Sequence, residues 1–159
     1  GTPRTWVHLL AMVFVTLTRK LVSSWCSCPN NAMRTLPDVM SYIVLDTDVA
    51  SLSFRGRVPA GLLAKLAGIP ACITFVTFAE MTQWAVQRQW GPANRERLTQ
   101  WLSGIVVLPG SDAVAHAWGD ISAYARLRGR PRPQNDTWVA AACLVHELPL
   151  ATLNVKAYS

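Results

Sequence analysis

Apolar and polar positions follow two rhythms along most of this chain. Tyr42-Ile43-Val44-Leu45 is a short β-prone apolar run that ends abruptly in Asp46-Thr47-Asp48, the pattern of a buried strand delivering carboxylates at its C-terminal end. Val58, Leu62, Leu63 and Leu66 then recur at helical spacing, and Gly68-Ile69-Pro70 stops that helix before a second strand over 71–74. Further helices are predicted over 76–89 and 94–103, the latter with Leu98, Trp101 and Leu102 facing inward. A strand over 105–108 follows. Val114, Ala117, Ile121 and Tyr124 mark another amphipathic helix, which ends in the loop Gly129-Arg130-Pro131-Arg132-Pro133. The stretch 137–145 is helical and uncharged, hence buried, and 148–152 supplies the last visible strand.

Strands alternating with helices over short linkers imply a parallel sheet, because parallel neighbours need crossovers and the helices serve as those crossovers. The expected fold is α/β, a three-layer α/β/α sandwich around a central, mainly parallel sheet. In such a sheet ligands gather outside the carboxyl ends of the strands, where Asp46 would project.

Upstream of Met40 the character changes. Trp6 to Leu17 is apolar for about a dozen residues, short of the roughly 20 that a spanning helix needs, so no membrane segment is expected. Arg19 and Lys20 follow it directly, and Trp25 before Cys26 spoils a lipoprotein-type cleavage site, which disfavours export. Residues 1–39 are therefore read as a leader of non-native or disordered character, and 40–159 as one domain. The chain of 159 residues has room for one sizeable core.

The formal charge of +6 suits a polyanionic partner, yet Arg4, Arg19, Lys20 and Arg34 lie in the leader. Residues 40–159 hold 11 basic and 8 acidic side chains and are only mildly basic. Cys26 and Cys28 lack the spacing and later partners of a zinc site, while Cys72 and Cys143 sit in apolar runs as core thiols. Unpaired cysteines fit a reducing cytoplasm.

Asp46, Glu80 and Asp136 are the candidate catalytic residues. Each has an ordinary explanation: Asp46 and Asp48 as turn or cap residues, Glu80 as a solvated helix residue, Asn135 or Asp136 as a cap after the proline-rich loop. Glu80 fits its explanation least, because Phe75-Val76-Thr77-Phe78-Ala79-Glu80-Met81 would bury an unpaired charge that a cation could offset.

The run Val44-Leu45-Asp46-Thr47-Asp48 resembles the opening strand of PIN domains. Thr74 to Met81 is similar to that family's second strand and acidic helix start. Asn135-Asp136-Thr137-Trp138-Val139-Ala140-Ala141-Ala142 resembles its third motif, and Leu150-Ala151-Thr152-Leu153-Asn154 the strand leading to a fourth acid. The resemblance covers about residues 40–158 and is to the VapC toxins of bacterial toxin–antitoxin pairs. It implies a divalent-metal endoribonuclease using Mg²⁺ or Mn²⁺, with Asp46, Asp136 and Glu80 as ligands and Thr47 and Asp48 orienting them. It also implies an RNA substrate, a cognate antitoxin seated beside the carboxylates, and a homodimer.

The chain departs from the family at Ala157, where the fourth acid belongs, and it ends at Ser159 without the family's usual short helix and last strand. A truncated terminus is the expectation, with Asn154 offering a carbonyl oxygen in partial compensation. Arg126 and Arg128, with Arg130 and Arg132, crowd the approach to Asp136; the first two are the preferred RNA contacts, against the ordinary reading of a solvated loop. Trp101 and Trp118 lie at core spacing, Trp84 and Trp90 on a partner-facing surface. His116 and His146 have no acid or nucleophile at matching spacing. The alternative function is a PIN-like module that binds RNA or protein without cleaving, for which Ala157 is the best support.

Overall fold

The computed structural model describes residues 42–158, so the leader over 1–39 and the start at Met40 lie outside the described residues. Strand β1 (Ile43–Leu45) is buried throughout, as a run apolar on both faces must be. It is paired in parallel on one side with β2 (Ala71–Thr74) and on the other with β4 (Leu150–Ala151). Strand β3 (Val106–Leu108) pairs in parallel with β2, giving the order β3-β2-β1-β4. The chain works outward from β1 to β3 and then returns to the far side of β1. The reversal point of this parallel sheet therefore lies between β1 and β4, and a crevice is expected at their carboxyl ends.

Successive strand residues point to opposite faces and so define two apolar layers. Ile43, Leu45, Ile73 and Ala151 face α1 (Thr47–Phe54), α2 (Ala60–Leu66), α3 (Phe75–Gln87) and α4 (Pro92–Ser103), which contribute Val49, Leu62, Met81 and Leu98 among others. Val44, Cys72 and Leu150 face the other way, onto Val139 and Cys143 of α6 (Gln134–His146). Helix α5 (Asp112–Leu127) covers α6, with Val114 against Ala141 and Ala142. The result is the α/β/α sandwich that the alternation of patterns implies.

Differences from the sequence reading are local. The segment after β1 holds two short helices, separated by Gly56 in the left-handed region (φ +64°) and by Pro59, and only α2 was marked by apolar spacing. Leu63 and Tyr124, expected inward, are 58% and 53% exposed, because their helices are covered on one side only. Trp90 is half-buried, stacked on Phe54 with ring centroids 5.7 Å apart, and packs against the core below α4. Among the described residues no helix is long and apolar enough to cross a membrane.

Candidate metal centre

Asp46 and Asp136 stand at the starts of two helices, and Glu80 stands in the second turn of a third. Asp46 follows β1 directly and is the N-cap of α1, its Oδ1 accepting the Thr47 N–H at 2.8 Å. Thr74 ends β2 and caps α3 by accepting the Thr77 N–H at 3.2 Å, so that Glu80 projects one turn further along α3. Asp136 sits in the first turn of α6. A helix start carries partial positive charge and unpaired N–H groups, which is why carboxylates can collect there.

Hydrogen bonds tie these starts together. Thr47 binds Asp46 through its N–H, and its hydroxyl donates to Glu80 Oε2, so one residue bridges two of the acids. Asn135 Nδ2 donates to Glu80 Oε1 at 2.6 Å, joining α6 to α3 beside Asp136. Asp46 Oδ2 accepts two hydroxyls, from Thr152 at 2.7 Å and from Tyr158 at 3.0 Å. Asp48 is engaged by main-chain N–H groups, from Val49 at 2.6 Å and Leu153 at 2.9 Å. Asn154 enters through its main chain, its N–H donating to Thr152 Oγ1 at 3.0 Å.

The electrostatics are those of a crowded anionic site. Burial raises the Asp136 pKa above the ordinary aspartate value, and the charges of Asp46, Glu80 and Asp48 raise it further. Burial and then Asp46 likewise push Asp48 up, against main-chain hydrogen bonds that pull it down. Burial, with Asp46 and Asp136 nearby, pushes the Tyr158 phenol far up, so its proton stays on and the hydroxyl donates to Asp46.

Chemically the site offers carboxylate and hydroxyl oxygens, and among the described residues no imidazole or thiolate bonds the carboxylates; oxygen is the preference of hard Mg²⁺ or Mn²⁺. Among the described residues no three His, Cys, Asp or Glu side chains stand close enough to hold one ion directly. Mutual repulsion together with incomplete closure is what a hydrated cation suits, since Mg²⁺ keeps several of its waters and bridges acids through them. The residues fit such an ion by charge and donor type.

Of the residues expected from sequence, Asp136 feels the charges of Asp46, Glu80 and Asp48, Asp48 feels that of Asp46, and Thr47 bonds both Asp46 and Glu80. Arg126 and Arg128 are exposed at the C-terminal end of α5, with the Arg128 guanidinium over the Tyr124 ring at 4.2 Å. Neither bonds the carboxylates. Thr152 and Tyr158 were not anticipated; both meet Asp46 across more than a hundred residues, a distance no local pattern spans. Beside Glu80 and Asn135 opens a concavity of about 430 Å³ with Phe75, Val76 and Trp138 in its wall.

Among curated proteins no sequence match is found. The fold resembles VapBC-1 from nontypeable Haemophilus influenzae, with TM-score 0.65 and 21% identity over 74% of this chain and 90% of the other. It also resembles VapBC2 from Rickettsia felis, solved bound to a fragment of promoter DNA (TM-score 0.63, 19% identity, 72% and 89% covered). VapBC-5 from Mycobacterium tuberculosis, described as a member of the VapBC family of toxin–antitoxin systems, aligns with TM-score 0.51 and 26% identity over 69% and 82%. The PIN domain model matches residues 43–158, from β1 to the tyrosine that binds Asp46, and on that match this chain belongs to the PIN-domain family.

Proposed function

We propose that this chain is a divalent-metal-dependent endoribonuclease and the toxin of a toxin–antitoxin pair. The observation that carries the reading is that Asp136, in the first turn of α6, feels the charges of Asp46, the N-cap of α1 after β1, and of Glu80 on α3. When bound, Mg²⁺ or Mn²⁺ would activate water and neutralise charge on the scissile phosphate. Asp46 and Asp136 would be its principal ligands, with Glu80 a ligand directly or through water. Thr47 fixes Asp46 and Glu80 relative to one another, and Asn135 holds the second oxygen of Glu80. Asp48 anchors the strand-end segment by accepting the Leu153 N–H. Arg126 and Arg128 are assigned to the RNA backbone, on the ground of their exposure beside the loop that leads to α6.

The antitoxin is assigned to the concavity beside Glu80, whose apolar wall suits a protein segment. A homodimer and a cytoplasmic location belong to the same reading. The test is cleavage of structured RNA during an Mg²⁺ or Mn²⁺ titration, comparing the wild type with Asp46→Ala. Cleavage that needs metal and vanishes in the variant supports the proposal. Metal-independent cleavage, or equal cleavage by both, refutes it.

A second reading, an RNA- or protein-binding PIN module without catalysis, is favoured by Ala157, which stands where the family's fourth acid belongs. RNA bound at an equal level with and without metal, and left uncut, is its signature.

A further inference from the structure

We infer that Tyr158 is a positioning residue for the cation-binding carboxylate Asp46, an inference that rests on the metal-centre reading above. Asp46 Oδ1 is fixed by the Thr47 N–H of its own helix, and Oδ2 accepts from Thr152 and from Tyr158. A carboxylate offers about four acceptor directions, two to each oxygen. Three are taken. The remaining one is on Oδ1, so the two hydroxyls decide which way Asp46 presents itself to an ion.

Tyr158 has the more demanding place of the two. Thr152 is held in the sheet, directly after β4, whereas Tyr158 stands on the 3-10 turn Val155–Ala157 at the end of the described chain. That turn is itself fastened by Arg132, whose Nη1 donates to the Ala157 carbonyl at 2.8 Å. The Tyr158 ring packs against the apolar cluster of Val44, Cys72, Val139 and Leu150, which leaves the hydroxyl at the acidic edge. While its O–H donates to Asp46, the phenolic oxygen keeps lone pairs with which to accept from a water. A hydroxyl from 112 residues away thus acts at the carboxylate without adding negative charge.

The test is Mn²⁺ affinity, measured by calorimetry on the full chain without RNA, for the wild type, Tyr158→Phe, Tyr42→Phe and Asp46→Asn. Tyr158→Phe keeps the ring and removes the bond, so the melting temperature should fall by a few degrees, as for any lost hydrogen bond to a carboxylate, while Mn²⁺ binds roughly tenfold more weakly, the scale for losing a residue that orients a ligand. Tyr42→Phe, in the same apolar cluster, should bind as the wild type does. Asp46→Asn should abolish binding. Wild-type affinity in Tyr158→Phe, with Asp46→Asn silent, overturns the role of Tyr158 and leaves the metal centre standing. No Mn²⁺ uptake by the wild type overturns both.

Discussion

Replacing Thr152 by valine probes the centre at a point where the cost can be worked out. Thr152 is 2% exposed and its hydroxyl makes two bonds, donating to Asp46 Oδ2 at 2.7 Å and accepting the Asn154 N–H at 3.0 Å. A hydrogen bond to a charged group contributes about 1.5–3 kcal/mol. Asp46 Oδ2 retains Tyr158 and is not orphaned, and the N–H of exposed Asn154 can turn to water, so neither adds a full desolvation penalty. Valine fills the same volume and returns part of the loss through its extra methyl. The net cost is about 2 kcal/mol. In urea, with a slope of about 1–3 kcal/mol per molar, the midpoint should fall by roughly 1 M. The melting temperature should fall by roughly 8 °C. A cycle with Asp46→Asn should show coupling of at least about 1 kcal/mol between the two positions. A destabilisation below about 0.5 kcal/mol with no coupling would refute the reasoning, since the Thr152 hydroxyl would then not be holding Asp46.

Four further outcomes are expected. Asp136 has a folded-state pKa above its ordinary 3.8, so without metal its ionisation takes stability away as pH rises through that window; Asp136→Asn should be more stable than wild type at neutral pH, lose that advantage below pH 3.8, and no longer gain stability from Mn²⁺, all readable in melts across pH. Ala157→Asp adds a carboxylate one residue from the tyrosine that binds Asp46; it should tighten Mn²⁺ binding and speed any RNA cleavage, and be neutral or slightly destabilising without metal. Removing Arg126 and Arg128 together by alanine should weaken binding of single-stranded RNA and flatten the dependence of log affinity on log salt by roughly 1.4, as two lost phosphate contacts require, with folding unchanged. A chain beginning at Met40 should keep the urea midpoint of the full chain, because the family match runs from residue 43 to residue 158; a large loss would place the domain boundary earlier.

The long-range order of this fold was legible because its signals are local. Val44 to Asp48, Thr74 to Glu80 and Asn135 to Ala142 each carry their own change of rhythm at a strand end or helix start, so the elements that carry Asp46, Glu80 and Asp136 could be assigned before any coordinates. Helix α1 was not assigned bounds of its own, because Thr47-Asp48-Val49-Ala50-Ser51-Leu52-Ser53-Phe54 mixes polar and apolar positions and its stability comes from packing Val49 and Ala50 on the sheet. Leu63 illustrates the opposite error, since helical spacing alone does not reveal that α2 is covered over a narrow stripe around Leu62. Thr152 and Tyr158 are ordinary residues in sequence. Their meaning comes from Asp46, and only the closing of β4 onto β1 brings them to it.

The central claim is that Asp46, Glu80 and Asp136 share a cation, and anomalous scattering from a crystal grown with Mn²⁺ measures this most directly. The expected result is a peak among these three carboxylates, near Oδ1 of Asp46, that disappears in Asp46→Asn. A map with no peak there at saturating Mn²⁺, or with ions only elsewhere on the surface, would contradict the account.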